Sequence, residues 1–284
     1  MKPEDFEYFA TTLKQRSGLI LSQDKAYLLE SRLMPVARKW NLKGLDELAA
    51  SLRTKRDESM LRDVTEAMTT NESSFFRDQK PFDQFKQVVL PKLLETRASR
   101  RSIRIWSAAS SSGQEAYSLA MIMAEMGARL SGWKIEIVGT DLSSEMVERS
   151  RSGIYSQFEV QRGMPVTLLV KYFTQQAEKW QINQQIRDMV TFREMNLLTD
   201  FGPIGSFDVV FCRNVLIYFD MPTKSKVLES VVRVMQADGV LYLGGAETVL
   251  GISEKFKPVE SQRGLYVPQA LSATHYAGPQ KMSA

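Results

Sequence analysis

Apolar residues recur at helical spacing through the first 70 residues of the chain. Phe6, Phe9 and Leu13 form the first stripe, which predicts one face of a helix. Three further stripes follow, over residues 29–40, 45–52 and 60–68. Pro35 interrupts the second stripe and predicts a kink or a helix boundary there. We therefore predict an N-terminal helical domain over residues 1–70.

From Ile103 onward, short apolar runs alternate with amphipathic segments. The predicted strands are Ile103–Ala108, Ile135–Thr140, Val190–Arg193, Phe207–Cys212 and Val240–Gly244, and the predicted helices are Gln114–Met126, Ser144–Arg151 and Pro222–Met235. Strands that are apolar on both faces and separated by helices are typical of a parallel sheet covered on both sides. Runs near Phe256 and at Leu265–Val267 predict an antiparallel hairpin at the sheet edge. The predicted fold is α/β, a doubly wound and mostly parallel sheet.

The remaining segments complete the predicted organisation. Residues 71–98 form a linker and a helix, and residues 99–268 form the sheet domain. Residues 153–190 break the alternation with a helical piece and a polar hairpin, which predicts a small inserted β-subdomain. Residues 269–284 are small and polar and are predicted to be a disordered tail.

The composition restricts the chemistry. The 284 residues are 43% hydrophobic and 25% charged, as in ordinary soluble proteins. The single cysteine, Cys212, excludes an internal disulfide and fits a reducing compartment, so the cytoplasm is the predicted location. The only histidine, His275, lies in the predicted tail, so neither a histidine-based triad nor a metal site is expected.

A net charge of +4 is mild, and aromatic and basic residues do not interleave, so no nucleic-acid partner is expected. The basic run Arg53, Lys55, Arg56 and Arg62 has two interpretations. It is either a solvated helix face or a patch that attracts an acidic protein partner.

Polar residues follow the predicted strands at their carboxyl ends, where open α/β sheets bind ligands. Glu115 begins the helix after the first strand, Asp141 ends the second and Asn196 follows the third. Asn214 ends the fourth strand, and Tyr218 lies close enough in sequence to reach the same cleft. The two acids suit a nucleoside cofactor, because an acid after the second strand commonly binds ribose hydroxyls.

Each of these acids also has a purely structural interpretation. Glu115 could interact with the helix dipole, and Asp141 could cap the helix that follows it. A site without histidine suits a reaction with little proton transfer, such as methyl transfer to a glutamate carboxylate, which is already ionised at neutral pH.

Five segments together resemble one family. They are TTNESSFFRD (69–78), WSAASSSGQEAYSLAM (106–121), GTDLS (139–143), MNLL (195–198) and FCRNVLIYFD (211–220). Their order and spacing resemble the bacterial chemotaxis receptor methyltransferases, the CheR family. The resemblance implies a class I S-adenosylmethionine-dependent methyltransferase fold. It also implies methyl transfer to glutamate side chains on chemoreceptor cytoplasmic helices, with S-adenosylhomocysteine as the product.

The resemblance also implies roles for individual residues. The positions that match the family's cofactor-binding residues are Asn71, Ser73, Arg77, Glu115, Asp141, Asn196, Leu197, Asn214 and Val215. Ser73 stands where many relatives have threonine, and it keeps the hydroxyl group. Arg77 and Tyr218 are the candidates beside the reacting carboxylate. The alternative role of Arg77 is a surface ion pair, and that of Tyr218 is core packing with a satisfied hydroxyl. The basic run, Arg53 to Arg62, would bind glutamate-rich receptor helices.

In some relatives the inserted subdomain binds a receptor C-terminal pentapeptide. The link Thr174–Lys179 is short and lacks glycine, so we predict activity independent of such tethering, by a monomeric enzyme. The alternatives are a methyltransferase of nucleic acid or a small molecule, and a non-catalytic nucleotide-sensing interaction module. A nicotinamide-dependent dehydrogenase is disfavoured, because the glycine fingerprint is missing.

Overall fold

The computed structural model describes residues 1–272 and 274–276. The chain divides into two compact units. The helical unit comprises Met1–Thr70 together with Tyr218–Thr223, and the sheet unit comprises Asn71–Ile217 and the chain from Lys224 onward.

Four helices build the first part of the helical unit: α1 (Pro3–Ser17), α2 (Ala26–Lys39), α3 (Leu45–Lys55) and α4 (Glu58–Ala67). Their predicted apolar stripes form a single buried cluster that includes Phe9, Leu33 and Leu48. Pro35 lies inside α2, so the expectation of a helix boundary at this residue is wrong. The carboxylate of Asp57 caps α4 by accepting the N–H groups of the next turn.

The segment Tyr218–Thr223 packs within the helical unit although it is distant from it in sequence. The N–H of Ile20 donates to the Tyr218 carbonyl at 2.9 Å, and Lys14 Nζ lies 2.8 Å from Asp220 Oδ2. The hydrogen bond from Lys14 is the main reason that the pKa of Asp220 falls to about 2. From its position in the sequence this segment is predicted to belong to the sheet domain, because the chain order does not show where a loop packs.

The described residues of the sheet unit form ten strands: β1 (Ser102–Ala108), β2 (Lys134–Asp141), β3 (Ile154–Ser156), β4 (Phe173–Gln176), β5 (Lys179–Ile182), β6 (Val190–Glu194), β7 (Phe207–Cys212), β8 (Met235–Leu243), β9 (Phe256–Pro258) and β10 (Leu265–Pro268). Seven of them form the main sheet in the order β6-β2-β1-β7-β8-β10-β9. The first five of that order are parallel, and β10 and β9 add an antiparallel edge. The predicted fold class is confirmed.

The further helices are α5 (Lys80–Gln84), α6 (Leu90–Thr96), α7 (Gln114–Glu125), α8 (Ser144–Ser152), α9 (Gln157–Gln161), α10 (Val166–Tyr172), α11 (Gln184–Arg187) and α12 (Met221–Arg233). A π-helical turn, Phe85–Val89, joins α5 to α6. Because β1, β2 and β7 are buried on both faces, their apolar residues fill the core of this unit.

The predicted insertion forms a separate three-stranded antiparallel sheet in the order β3-β5-β4. Aromatic rings attach it to the core, because Phe75 makes edge-to-face contacts with Tyr155 and Phe173. These rings are buried and therefore fix the insertion on the sheet unit rather than leaving it as a loose appendage.

Tyr276 packs on the sheet unit, because its ring is buried and its hydroxyl donates to the Asp238 carbonyl at 2.7 Å. The rest of the predicted tail, residues 277–284, lies outside the described residues, as does residue 273. Over the described part of the chain, every helix falls short of the length and hydropathy that a membrane span requires.

Candidate functional site

The carboxyl ends of four parallel strands lie side by side in the sheet unit. Ala108, at the end of β1, pairs with Thr140 in β2 and with Cys212 in β7, and Asp141 pairs with Glu194 at the end of β6. The chain order reverses between β1 and β7, which is the point where open α/β sheets hold their ligands. The residues that follow these strands are therefore collected at one edge.

The loop after β1 has a backbone that few residues can adopt. Ala109, Ser111 and Gly113 have positive φ angles of 55°, 50° and 91°. Gly113 precedes α7, and a Cβ there would lie 3.0 Å from the Phe192 ring and from Ser150 Oγ. The backbone conformation therefore favours glycine, and the tight space adds to this preference; the loop brings main-chain N–H groups to the sheet edge.

Asp141 holds this loop in place. Its carboxylate accepts the N–H of Ser111 at 2.8 Å and the N–H of Ser143 at 3.0 Å. Ser111 Oγ in turn donates to the Asn71 carbonyl at 2.7 Å. The Ser143 hydroxyl accepts the Met146 N–H and caps α8, so the capping role considered for Asp141 belongs to Ser143. The structure thus joins two predicted cofactor residues, Asn71 and Asp141, through one serine.

Glu115 is at the centre of a second network. It accepts a hydrogen bond from Ser107 Oγ at 2.8 Å and pairs with Arg213 Nη1 at 2.9 Å. Arg213 Nη2 contacts Asp78 Oδ2 at 2.7 Å and the Arg77 carbonyl at 2.9 Å. Only 1% of the Arg213 side chain is exposed, so these contacts replace the water that Nη1 and Nη2 would otherwise bind. Glu115 therefore does more than interact with a helix dipole.

Arg77 is half-buried, and its guanidinium donates to the Glu72 carbonyl at 3.0 Å. The pKa of Glu72 is lowered, mainly by its hydrogen bond with Arg162 and to a smaller extent by Arg77. Ser73 is also half-buried in this segment. The backbone of Arg77 is fixed through Arg213, whereas the surface ion pair considered for its side chain is not formed within the described residues.

On the fourth strand end, Asn214 has a positive φ of 60°, and its main-chain N–H and that of Val215 both donate to Glu247. Burial raises the pKa of the neighbouring Cys212 thiol well above its usual range, and the nearby carboxylates of Glu247 and Glu115 add to this effect. Both carboxylates therefore lie near the end of β7.

The third strand end carries Asn196 and Leu197. Asn196 Oδ1 accepts the Leu198 N–H at 2.9 Å, which fixes a turn directly after β6. Leu197 is buried, and the N–H of Met195 donates to the Asp141 carbonyl at 2.8 Å. This turn is therefore tied to the end of β2.

Tyr218 belongs to the helical unit. Its side chain is half-buried, and its hydroxyl forms no hydrogen bond to residues 1–272 or 274–276. The alternative of core packing with a satisfied hydroxyl therefore has no support from the described contacts.

The predicted basic patch lies in the helical unit, and two of its members are already paired there. Arg53 Nη1 binds Asp5 Oδ1 at 2.7 Å, and the Asp5 side chain is only 4% exposed. Arg62 Nε binds Glu66 Oε1 at 2.8 Å, one helical turn away. These contacts give both arginines a structural role within the unit.

Lys55 and Arg56 differ from these two arginines. Both side chains are exposed at the end of α3, and neither forms an ion pair within the described part of the chain. They are the members of the patch whose charge is presented to solvent.

Sequence reasoning missed Arg213 and Glu247. Arg213 lies inside the motif FCRNVLIYFD, but nothing local to the sequence shows that it bridges two acids. Glu247 follows β8 in a glycine-rich stretch. The strand-end rule that selected Asp141 and Asn214 could have selected it had the rule been applied to the last parallel strand.

Two family models match the chain. The CheR methyltransferase all-alpha domain matches residues 4–69, and the CheR methyltransferase SAM binding domain matches residues 71–265. The second match covers the main sheet as far as the first residue of β10, together with the insertion and every strand end described above. The polar side chains at this edge fit S-adenosylmethionine, because carboxylates accept hydrogen bonds from its ammonium and ribose hydroxyl groups.

Full-length relatives agree with this assignment. "Chemotaxis protein methyltransferase 1" of Pseudomonas aeruginosa is 38% identical over 267 residues, covering 92% of this chain and 96% of that protein. "Chemotaxis protein methyltransferase 1" of Vibrio cholerae is 36% identical over 265 residues, covering 92% and 95%. The chain therefore belongs to the CheR family and is an S-adenosylmethionine-dependent methyltransferase.

Proposed function

We propose that the chain methylates glutamate side-chain carboxylates on the cytoplasmic helices of chemoreceptors. The observation that carries this proposal is the arrangement of Glu115, Asp141 and Asn214 at the ends of three adjacent parallel strands, around the point where the strand order reverses. Family membership and the relatives named as chemotaxis protein methyltransferases support the choice of acceptor.

Each residue at this edge has a proposed task. Glu115 binds the cofactor ammonium group and Asp141 binds the ribose hydroxyls, while Asn71, Ser73, Asn196, Leu197, Asn214 and Val215 line the remainder of the site. S-adenosylmethionine supplies a methyl group on a positively charged sulfur; the acceptor carboxylate oxygen bonds to this carbon as the sulfur–carbon bond breaks, leaving S-adenosylhomocysteine and a methyl ester. No proton moves, which suits a site without histidine.

The direct test uses the protein with methyl-labelled S-adenosylmethionine and receptor cytoplasmic fragments. Mild base releases methanol from a carboxyl methyl ester, whereas N-methyl groups survive this treatment. Base-labile label on the receptor fragment is the expected result. Stable label, or turnover only with nucleic acid or a small molecule, would contradict the proposed acceptor.

Arg77 is proposed to hold the acceptor carboxylate, with the Tyr218 hydroxyl orienting it. Arg77→Ala should lower kcat on the order of 30-fold, because one charge-assisted contact to the reacting group is lost. Affinity for S-adenosylhomocysteine, measured by calorimetry, should change much less. The exposed Arg129→Ala variant is the control. Equal losses in kcat and in product affinity would instead assign Arg77 to cofactor binding.

Lys55 and Arg56 are proposed to attract glutamate-rich receptor helices. The double variant Lys55→Glu/Arg56→Glu should lower kcat/KM for a receptor fragment by about tenfold at low ionic strength, with a smaller effect at high salt. The variant Arg38→Glu/Lys43→Glu changes the net charge equally at exposed positions of the same unit. Equal effects of the two variants would show that net charge, and not this patch, matters.

We propose that the enzyme acts without pentapeptide tethering. In support, β4 and β5 are joined by only two residues, Ala177 and Glu178, which leaves a short and compact hairpin. Receptors that lack a C-terminal pentapeptide should be methylated as fast as the same receptors carrying one. Tight calorimetric binding of the pentapeptide to the protein would contradict this.

A further inference from the structure

Glu247 forms an unusually complete set of main-chain contacts after β8. One carboxylate oxygen, Oε2, accepts the N–H of Asn214 at 2.8 Å and the N–H of Gly244 at 2.7 Å. The other oxygen, Oε1, accepts the N–H of Val215 at 2.9 Å and the N–H of Ile217 at 3.2 Å. One side chain thus binds four main-chain donors, three of which belong to the loop after β7.

This loop needs an external support. Its residue Asn214 has a left-handed φ of 60°, a conformation that side chains other than glycine adopt at an energetic cost. The loop segment Asn214–Val215 is not in a strand or an α-helix, so these N–H groups have no regular secondary-structure partners. The carboxylate supplies the acceptors that secondary structure would otherwise provide.

The backbone around Glu247 is closely packed as well. A Cβ at Gly244 would lie 2.7 Å from Glu247 Oε2, 2.8 Å from Asn214 Nδ2 and 2.9 Å from the Asn214 main-chain nitrogen. Only glycine allows the end of β8 to approach Asn214 this closely. The carboxylate and the glycine therefore hold the same residue from two directions.

We propose that Glu247 is a positioning residue, which holds the Asn214–Val215 loop in the cofactor-binding conformation before the cofactor arrives. The inference rests on the proposed role of Asn214 in cofactor binding. Glu247 itself need not contact the cofactor, because its oxygens are directed at main-chain N–H groups. A loop fixed in advance loses less conformational entropy on binding.

Glu247→Gln is the sharpest probe. The amide keeps one carbonyl oxygen but directs an NH₂ group at main-chain donors, so the loop loses about half of its acceptors. Calorimetric affinity for S-adenosylhomocysteine should fall about tenfold at a temperature well below melting. Glu254→Gln, an exposed carboxylate seven residues later, should leave the affinity unchanged. An affinity of the Glu247→Gln protein within twofold of the original would overturn the proposal.

A double-mutant cycle with Asn214→Gly separates positioning from a general structural effect. This substitution removes the side chain that Glu247 is proposed to position, and glycine tolerates the φ angle at this residue. Asn214→Gly alone should weaken binding, and adding Glu247→Gln should then cost less than about twofold more. A full tenfold further loss would show that Glu247 acts elsewhere. If Asn214→Gly has no effect, the cofactor role of Asn214 fails and this inference fails with it. If Asn214→Gly weakens binding and Glu247→Gln does not, only the inference fails.

Hydrogen exchange on the unaltered protein decides the matter even if a variant does not fold. The amides of Asn214, Val215 and Ile217 should be protected already without ligand, and S-adenosylhomocysteine should add little to this protection. Exchange that is fast in the free protein and slowed only by the ligand would overturn the proposal.

Discussion

Replacing Asp141 by asparagine is expected to weaken S-adenosylhomocysteine binding by about 100-fold, equivalent to about 3 kcal/mol. The carboxylate accepts two main-chain N–H groups, from Ser111 and Ser143, and is proposed to accept ribose hydroxyls as well. Asparagine has a single carbonyl oxygen, so its NH₂ group must face one of these donors. The loop after β1 and the ligand both lose a charge-assisted hydrogen bond.

Calorimetry on the variant measures the affinity, and the melting temperature is recorded beside it. Glu145→Gln is the matched control, because this carboxylate is exposed and lies only four residues further on. A lower melting temperature with unchanged affinity would assign Asp141 to loop structure alone and remove it from the cofactor site.

The largest effect on stability is expected at Asp208, far from the proposed chemistry in sequence. This side chain is 2% exposed, and it accepts Arg97 Nε and the Arg104 N–H, each at 2.8 Å. Asp208 also contacts Arg100. Arg97 in turn forms a bidentate pair with Asp238, and the hydrogen bonds of this pair are the largest cause of the raised pKa of Arg97. Removing the negative charge of Asp208 leaves the positive charge of the buried Arg97 only partly balanced.

Asp208→Asn should therefore destabilise the protein by about 3 kcal/mol and lower the melting temperature by about 10 °C. Asp200→Asn, at an exposed position, should leave the melting temperature nearly unchanged. Affinity for S-adenosylhomocysteine at 25 °C should persist in the folded fraction. A melting temperature equal to that of the control would show that the cluster contributes little net free energy, as some buried ion pairs do.

The strands of the sheet were predictable because their physical signal is local. β7 was predicted at its observed bounds, since Phe207–Cys212 is apolar on both faces. β8 begins five residues before its predicted start, at Met235. The prediction rested on an apolar run, and Gln236 and Asp238 are polar; Asp238 nevertheless lies in β8, where Arg97 binds its carboxylate. Long-range ion pairs of this kind leave no periodic trace in a sequence.

The candidate site shows the same division. Glu115 and Asp141 could be chosen from the sequence because each follows a recognisable strand. Arg213 and Glu247 could not be assigned their contacts, because these join segments far apart in sequence, over 98 residues for Arg213 and Glu115. The strand-end rule predicts where ligands bind, but it does not predict which buried side chains hold the ligand-binding residues in place.

The return of residues 218–223 to the helical unit has a consequence for dissecting the protein. A fragment that ends at Thr70 would lack the carbonyl that accepts the Ile20 N–H, the carboxylate that pairs with Lys14, and the Phe219 ring beside Gly18. The buried surface that this ring covers would then face water. The helical unit is thus not contiguous in sequence, and a fragment excised at Thr70 would be incomplete at one surface.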